Sequence, residues 1–381
     1  GNVCLSPQYG WTTKSTDIGK YKYLRTTDIS TLPVEWNTVP YCKNLPNQPE
    51  DFLLEENDLL ISRSGSVGLT YLVKELKAKA LFASYMIRFK PLINADYLFL
   101  FTKTESYNEQ IVEKSEGQAV QNVNATKLSS IQIPLPPIKE QEKIAEILNK
   151  QLAQLREERA KLEKEFEVKY KRFTEDVLID KYSIKNVEHR KVYEIADVVM
   201  GQSPKGRSYN TKGIGQPLIN GPTEFENKLL GLTQIKQYTS EPTKLCKKDD
   251  LLLCVRGSTT GRVNIASTDA CIGRGIASIR AKYYQSFLNY FFLKVGQEIL
   301  NEASGTVFPS INKEYIENIL VPFPDIEIQK EIVREIEQSF INAKELKSNF
   351  THVITELEKK EKELFEKAFS GKLVQPIDGD T

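Results

Sequence analysis

The stretch IQIPLPPIKEQEKI (residues 131–144) returns in altered form as ILVPFPDIEIQKEI (residues 319–332). Earlier in each copy, NDLLISRSGSVG (residues 57–68) matches DDLLLCVRGSTTG (residues 249–261). The copies are offset by about 190 residues, half of the 381-residue chain. Similarity at one fixed offset predicts that the same structural unit is built twice.

Each copy of the opening stretch leads into a long segment with helical periodicity. Apolar residues recur there at steps of three, four or seven, with Glu and Lys on the other faces. Proline ahead of the charged start is a usual helix-entry signal. Each segment is about 40 residues, longer than an ordinary globular helix, so we expect the two helices to bury their apolar stripes against each other. The stripes are Ile144, Leu148, Leu152, Leu155, Leu162, Phe166, Tyr170, Phe173 and Val177, and Ile332, Ile336, Phe340, Ala343, Phe350, Val353, Leu357, Leu364 and Ala368.

The order of segments along the chain sets the direction of these helices. The first helix carries the chain from the first globular part to the second, so the second helix must run back along it. The sequence therefore predicts an α+β fold with two globular α/β domains in tandem repeat, separated by two long helices that form an antiparallel coiled coil with pseudo-two-fold symmetry. We expect globular domains at 1–137 and 183–324, long helices at 138–182 and 325–371, and a tail at 372–381.

Composition excludes several classes of protein. Hydrophobic content of 40% and charged content of 27% are ordinary for a globular protein. Five cysteines form no C-x-x-C pair and the chain has two histidines, which argues against a zinc site or a disulfide framework. No catalytic pattern, adenine methyltransferase motif, signal peptide or membrane-length apolar run is present. We therefore expect a cytoplasmic protein without a catalytic centre or a bound metal.

The stretch GQSPKGRS (residues 201–208) is one substitution away from a phosphate-binding loop. Arg207 stands in place of the required lysine, and glycines and a proline follow where the phosphate-binding helix should begin. The loop also has a counterpart in the first copy, with Ser6 and Pro7 over Ser203 and Pro204 and Gly10 near Gly206. We interpret it as a surface loop common to both halves; a nucleotide-using enzyme is the less favoured alternative.

Two similar but non-identical surfaces held at a fixed separation suit a double-stranded DNA target. Half-sites about one helical turn apart, near 34 Å, present their grooves on one face of the duplex. The first globular domain has 14 basic and 14 acidic residues, the second has 18 and 13, and the whole chain has a net charge of +1. Because phosphate neutralisation supplies most non-specific affinity, this low charge indicates that partners supply part of the DNA backbone contact.

Several stretches together resemble the specificity (S) subunit of type I restriction–modification systems. They are LSSIQIPLPPIKEQEKIAEIL with its twin IENILVPFPDIEIQKEIVREI, DLLISRSGSVG, YKYLRTTDI near the start, and AFSGKLV at the end of the second helix. The resemblance covers essentially the whole chain. It implies that each globular domain is a target recognition domain for one half of a bipartite DNA sequence, and that the helices are conserved spacers.

The resemblance also implies partners. Two adenine methyltransferase (M) subunits would dock near residues 138–150 and 326–338, and motor–nuclease (R) subunits would join for restriction. S-adenosylmethionine, ATP and magnesium would belong to those partners, so the chain itself would bind no cofactor and catalyse no reaction.

Two departures from the family pattern stand out. The chain starts at Gly1 without a counterpart of VEHRKVYEIA (residues 187–196) and without an initiator Met, so a trimmed start is one interpretation. Lys14 and residues 26–28 have no close match in PLINGPTEF (residues 217–225), as expected if the two halves recognise different bases. Two alternatives stay open: a coiled-coil scaffold holding two domains that do not bind DNA, and the specificity region of a fused restriction–methylation enzyme.

Candidate DNA-binding residues are chosen by chemistry and by position in loops. Arg and Lys suit guanine, Asn and Gln suit adenine, and hydroxyl groups suit either bases or phosphates. Gly65, Gly68, Gly257 and Gly261 are expected to shape turns instead. In the first domain the candidates are Gln8, Trp11, Lys14, Arg25, Thr27, Arg63, Ser64, Gln121, Asn122, Asn124 and Lys127, and in the second they are Lys205, Arg207, Ser208, Asn220, Arg256, Ser258, Arg262, Arg274, Ser310, Asn312 and Lys313.

Overall fold

The computed structural model describes residues 2–115, 122–302 and 311–374. It divides into two compact units: unit 1 comprises Gly1–Leu162 with His352–Thr381, and unit 2 comprises Glu163–Thr351. Each unit thus holds one globular half of the chain together with part of both long helices. Over the described ranges, none of the helices has the length and apolar character needed to cross a membrane.

Unit 1 is built on two four-stranded sheets. The apolar run LLIS forms the strand Leu59–Ser62, which is buried along its whole length. A continuous apolar run is typical of a strand that is covered on both faces. The first sheet is fully antiparallel, in the order Gln8–Tyr9, Met86–Phe89, Leu59–Ser62, Thr70–Leu72; the second has the order Ser15–Thr16, Tyr41–Cys42, Lys22–Leu24, Ala80–Phe82, and its last pair is parallel.

Helices cover the first sheet of unit 1, as expected of an α/β domain. Asn94 and Asn124 are N-caps; their side-chain oxygens accept hydrogen bonds from Tyr97 N and Lys127 N, both at 2.9 Å. Leu98, Phe101, Tyr107 and Ile111 pack on the sheet. The helices on this sheet are Ala95–Phe101, Glu105–Ser115 and Ala125–Ser129. The helix Thr26–Ile29 and a 3₁₀ turn at Pro49–Phe52 pack with the second sheet instead.

Unit 2 repeats this plan with additional strands. Its helices are Val192–Ile195, Gln285–Glu302 and Lys313–Asn318, with 3₁₀ turns at Gly206–Ser208 and Pro222–Glu224. The first sheet has the order Ala196–Met200, Ile276–Ala281, Leu251–Cys254, Val263–Ile265; the second has the order Tyr209–Asn210, Gln237–Thr239, Gln216–Ile219, Ala270–Ile272, Leu245–Cys246; a separate pair joins Leu320–Pro322 to His189–Lys191.

The repeat extends to backbone conformation. The glycines expected to shape turns have positive φ in both copies, 74° and 78° at Gly65 and Gly257, and 82° and 96° at Gly68 and Gly261. Each copy also contains a buried aspartate paired with an arginine of the neighbouring strand. Asp58 Oδ2 lies 3.3 Å from Arg88 Nη1, and Asp250 Oδ1 lies 2.7 Å from Arg280 Nε.

The repeated proline-rich stretch has one structural role in both units. Gln141 and Gln329 are buried, and their side-chain amides donate to the carbonyl oxygens of Pro136 and Pro324, at 2.7 and 2.8 Å. Proline has no N–H, so it cannot donate a backbone hydrogen bond. The hydrogen bonds from the two glutamine side chains hold the chain at the point where it turns into the helix. The long helical segments are Ile138–Lys171, a π-helical turn at Arg172–Asp176, Val177–Tyr182, and Ile326–Phe369.

Within each unit the long helices run antiparallel, as predicted. In unit 1, Leu148 and Leu152 of the first helix pack with Phe365 and Ala368 of the second. Further along the first helix, Arg159 Nη1 lies 3.4 Å from Oε1 of Glu358, which comes before Phe365 in the second helix. In unit 2, the Phe166 and Phe350 rings stack with centroids 4.2 Å apart, and Lys181 pairs with Glu335. Val353, predicted in the apolar stripe, is 39% exposed.

Candidate nucleic-acid interface

The predicted loops of unit 1 meet at one edge of the first sheet. Antiparallel neighbours place the end of one strand beside the start of the next, so their loops emerge together. Ser84 N donates to Trp11 O at 3.1 Å, Arg63 N to Tyr85 O at 2.8 Å, and Val123 N to Arg63 O at 2.9 Å. Four segments that are far apart in sequence are thereby brought next to one another.

The Arg25 loop joins the same edge through the second sheet. Ala83 N donates to Leu24 O at 2.9 Å, which places Arg25 directly after that contact. Arg25 makes a two-point ion pair with Asp28, with Nε–Oδ2 at 3.0 Å and Nη2–Oδ1 at 2.7 Å. The hydrogen bonds that Arg25 donates to the Asp28 carboxylate raise the pKa of Arg25 above its usual value. Thr27, in the following helical turn, is exposed.

Arg63 lies at the centre of this edge. Its guanidinium carbon lies 5.1 Å from the Tyr9 ring centroid, and Tyr9 Oη accepts a hydrogen bond from Ala125 N at 3.0 Å. Arg63 Nε and Asn122 Oδ1 are buried atoms without a hydrogen-bond partner among the described residues. Buried polar atoms usually have partners, so these two atoms are exceptions among the described residues. The Arg63 and Asn122 side chains as a whole are half-buried.

Other candidates of unit 1 have contacts within the domain. The Gln8 amide donates to Asp51 O at 3.1 Å and accepts from Arg88, and Trp11 Nε1 donates to Asn44 O at 2.7 Å. Lys127 Nζ donates to Lys114 O at 2.6 Å. Asn124 is the N-cap described above, Ser64 lies in a backbone bridge with Asn122, and Lys14 is exposed.

The loops of unit 2 meet at the equivalent edge. Gly201 N donates to Ile276 O at 2.8 Å, Val255 N to Gly275 O at 2.9 Å, and Ile311 N to Val255 O at 3.0 Å. Gly273 N donates to Ile219 O at 2.9 Å and so brings Asn220 to the same place.

A polar cluster joins three of these loops. Ser203 Oγ accepts from Arg274 N at 3.1 Å and donates to Asn220 Oδ1 at 3.4 Å. The Arg274 and Lys205 side chains are exposed, and Arg207 Nη2 lies 3.8 Å from Glu241 Oε1. Ser208 is buried, and its hydroxyl donates to Lys205 O at 2.7 Å, so it stabilises the loop.

The remaining candidates of unit 2 differ in whether their side chains are exposed or bonded within the domain. Arg256 and Ser258 are exposed, whereas Arg262 Nη2 donates to Glu226 O at 3.3 Å. Asn312 caps the helix Lys313–Asn318 by accepting from Tyr315 N at 2.8 Å. Lys313 Nζ lies 3.3 Å from Glu317 Oε1. Gln121 and Ser310, also predicted, lie outside the described residues.

The family model for the type I restriction modification DNA specificity domain matches residues 10–165 and 184–366. The chain belongs to that DNA specificity family. A relative provisionally named type I restriction enzyme MjaX specificity subunit, from Methanocaldococcus jannaschii, is 32% identical over 71% of this chain and 64% of its own length. The type I restriction enzyme EcoBI specificity subunit of Escherichia coli is 25% identical, over 72% of this chain and 65% of the relative. The chain thus spans slightly less than two thirds of either relative.

Solved structures share the fold. A chain from a study of complex assembly and conformational transition of the type I R-M system superimposes with a TM-score of 0.80 at 21% identity, covering 98% of this chain and 97% of that chain. The HsdS subunit from Thermoanaerobacter tengcongensis gives a TM-score of 0.58 at 22% identity, covering 98% and 95%.

Matched positions of the two specificity domains carry different side chains. Arg63 in unit 1 and Val255 in unit 2 make matching backbone hydrogen bonds, so they occupy corresponding positions. Arg25 and Asn220 also correspond, because each directly follows a residue whose carbonyl oxygen accepts a matching backbone hydrogen bond. The exposed Arg256 therefore corresponds to Ser64. Two edges with one backbone plan and different side chains can present different donor and acceptor patterns to a ligand.

The alignment of the first loop in the sequence was wrong. Gly10 N donates to Met86 O and Gly201 N to Ile276 O, so Gly201, and not Gly206, is the counterpart of Gly10. A Cβ atom on either glycine would lie 2.2 Å from a carbonyl oxygen, that of Ala83 or that of Gly273. The first glycine of the phosphate-loop-like pattern is therefore needed for close strand packing. No phosphate-binding helix follows it, only the 3₁₀ turn Gly206–Ser208 and the strand Tyr209–Asn210.

Tyr85 is a candidate that the sequence did not reveal. It is 60% exposed and its carbonyl oxygen accepts from Arg63 N. The buried strand Met86–Phe89 begins directly after it. An aromatic residue just before a buried strand was the available signal.

The side chains that meet at the two sheet edges are of types that commonly bind ligands. Arginine, lysine, amide and tyrosine side chains meet there. Three thiols of the specificity domains are poor nucleophiles, since burial raises the pKa of Cys4 and Cys246 to about 11 and that of Cys254 to about 12.

Proposed function

We propose that the chain is the DNA-specificity subunit of a type I restriction–modification complex, in which each unit reads one half of a bipartite target. The observation that carries the proposal is the convergence of loops at the same sheet edge in both units, with different side chains at matched positions. Membership of the DNA specificity family supports it.

At the edge of unit 1 we propose that Arg63, Asn122 and Tyr85 contact bases. The Arg63 and Asn122 side chains are half-buried at this edge, and guanidinium and amide groups suit base edges in the major groove. At the edge of unit 2, Arg256, Arg274 and Asn220 take this role, and Lys205 contacts a phosphate. The predicted residues whose polar groups are used inside a domain, such as Gln8 and Ser208, position the loops.

We propose that two M subunits dock at the starts of the long helices and that R subunits join the assembly. The support is a set of exposed apolar side chains at or just before the start of each long helix: Leu135 and Ile138 are 57% and 50% exposed, and Ile326 and Ile328 are 43% and 46% exposed. Exposed apolar groups at such a site are typical of a protein interface. Catalysis, S-adenosylmethionine, ATP and magnesium then belong to the partners, and the complex acts in the cytoplasm.

The test of DNA recognition is selection from a randomised duplex library, with the chain co-purified with its M partner, at two salt concentrations. Two short unlike motifs at one fixed spacing are expected, and exchange of residues 1–137 should change one motif only. Absence of enrichment, with M bound and active, would leave the scaffold alternative.

The docking site has a separate test. Ile138→Asp and Ile328→Asp should abolish co-purification with M, because each places a charge in an apolar contact. Ile341→Asp is the matched control, since Ile341 is also 50% exposed on the second long helix but lies beyond the proposed site. Equal retention of M by all three variants would refute this docking site.

A further inference from the structure

A polar cluster in unit 1 contains a lysine without a counter-ion. Lys103 Nζ donates to Thr70 Oγ1 at 2.8 Å and to Thr70 O at 3.3 Å. Thr70 and Thr102 are buried, and their hydroxyl oxygens lie 2.7 Å apart. Lys103 is half-buried and forms no ion pair with the residues that the structure describes. A lysine that is taken out of water usually has a paired charge, so this ammonium lacks its usual partner.

The surroundings of this ammonium add positive charge to it. Burial, and then the positive charge of Arg156, lower the pKa of Lys103 to about 8, and no carboxylate in the described part of the chain offsets them. Because this pKa is above neutral pH, the ammonium is still charged there. A half-buried charge beside a second cation favours an anion as its partner.

The helix of unit 2 carries an apolar residue in place of Lys103. The N–H groups of Leu92 and Lys282 make matching hydrogen bonds at 2.8 Å just ahead of the two helices. Lys103 and Leu293 each follow eleven residues later. Leu293 is buried in the apolar core of unit 2, so the fold itself does not need a cation at this place.

The strand beside the helix differs in the same way. Thr70 and Val263 each pair with the third residue of the preceding strand, so they occupy corresponding positions. Val263 is buried in the same apolar core as Leu293. Since apolar residues complete this packing in unit 2, and a buried charge costs free energy, the lysine of unit 1 is better explained by a ligand than by packing.

A cleft of about 370 Å³ lies beside the polar cluster. Its polar groups come from Ser66, Thr70, Thr102, Lys103 and Asn108, and none of the described residues that line it is a carboxylate. Ser66 and Asn108 are exposed, and their side chains have no hydrogen-bond partner among the described residues. Hydroxyl, amide and ammonium groups are those that contact phosphate oxygens in nucleic-acid complexes.

The cleft adjoins the loop that carries Arg63. Ser66 and Gly68 belong to this loop, which is closed by hydrogen bonds from Ser62 N to Leu69 O at 2.8 Å and from Gly68 N to Ser62 O at 2.9 Å. A ligand in the cleft would therefore lie beside the sheet edge at which the loops of unit 1 meet.

We infer that Lys103, together with Ser66 and Asn108, binds a phosphate group in this cleft. The phosphate supplies the counter-ion that the ammonium lacks, and the three side chains donate hydrogen bonds to its oxygens. Unit 2 has no equivalent site, because Leu293 replaces the cation. The phosphate is either a free ion or part of a DNA backbone, and only the second form rests on the proposed function.

The first test uses the full chain with inorganic phosphate as the probe. The thermal midpoint of unfolding is measured at neutral pH against increasing phosphate, with chloride at equal ionic strength as the reference. The midpoint of the native chain should rise with phosphate, because a ligand that binds only the folded state stabilises it. Lys103→Met should lose this response. Lys77→Met, at an exposed lysine of the same unit, is the matched control and should keep it.

The second test measures DNA binding by each chain in complex with its M partner at several salt concentrations. If the phosphate belongs to the DNA backbone, Lys103→Met should reduce the slope of log affinity against log salt by about 0.9, the value for one phosphate contact. The motifs from library selection should stay the same, since a phosphate contact carries no sequence information. Lys77→Met should keep the native slope.

The two tests together separate the sources of the phosphate. A phosphate response that Lys103→Met loses, with an unchanged salt slope, assigns the site to the free ion, whereas a reduced slope assigns it to the DNA backbone. An unchanged slope together with a phosphate response that is absent, or equal in the native chain and Lys103→Met, overturns the inference. Two motifs recovered from the library in that case would leave the proposed function intact.

Discussion

The guanidinium of Arg63 lies over the Tyr9 ring, 5.1 Å from its centroid, and keeps its Nε without a partner among the described residues. The ring restrains a flexible cation, so less conformational entropy is lost when Arg63 meets a base. Arg63→Ala should therefore reduce discrimination in the unit 1 half-site by about 1–3 kcal/mol. Library selection should show one motif degraded and the other intact. Arg156→Ala, an exposed arginine on the first long helix, should leave both motifs unchanged.

We expect Lys205 to contribute equally to the binding affinity for all DNA sequences. Its side chain is exposed in the loop beside Arg274 and Asn220. Lys205→Ala should weaken binding uniformly and reduce the slope of log affinity against log salt by roughly one, since one phosphate contact is lost. Binding titrations of the complex at several salt concentrations measure both. A change of preferred sequence without a change of slope would assign Lys205 to base recognition instead.

Gly201 and Gly206 offer a matched pair within one loop. A Cβ atom on Gly201 would lie 2.2 Å from Gly273 O, whereas one on Gly206 would have no atom within 4 Å. Gly201→Ala should destabilise unit 2 by about 1–3 kcal/mol, because backbone must move to make room. Gly206→Ala should leave stability nearly unchanged. Urea unfolding of both variants is the measurement, and equal midpoints would contradict the close strand contact.

Lys103 should make the stability of unit 1 depend on pH. Its ammonium lies 2.8 Å from Thr70 Oγ1 and 4.4 Å from the Phe99 ring centroid, and burial lowers its pKa to about 8. An unfolded-state lysine titrates near 10.4. The folded chain therefore binds fewer protons between these values, and the free energy of unfolding rises as pH increases through about 8 towards 10.4.

Lys103→Met should remove this dependence and raise stability at neutral pH, where the native lysine is charged in both states. Chemical unfolding across this pH range measures the free energy of unfolding of the native chain and of Lys103→Met. The difference between the two free energies should narrow as pH rises. Lys77→Met, at an exposed lysine of the same unit, is the control. Its free energy of unfolding should differ from that of the native chain by the same amount at every pH.

The repeat, the two long helices and their antiparallel direction could all be predicted from the amino-acid sequence. These features leave signals over tens of residues: IPLPPIKEQ and VPFPDIEIQ recur at a fixed offset, and residues such as Leu148, Leu152 and Ile336 mark a periodic stripe. The buried Gln141 and Gln329, with their matching bonds to proline carbonyls, give a physical reason for that recurrence. Family membership, which rests on the same stretches, was also accessible. The exact segment boundaries remain predictions.

Only the tertiary structure decided which side chains meet at the sheet edges. Strands of two to six residues carry little periodicity, so their pairing depends on hydrogen bonds between residues far apart in sequence, such as Val123 N to Arg63 O. The same contacts establish Gly201 as the counterpart of Gly10, which sequence similarity had placed near Gly206. They also engage Gln8 inside the domain and expose Tyr85 beside Arg63. Long-range backbone pairing, and not local composition, determines which groups can face a ligand.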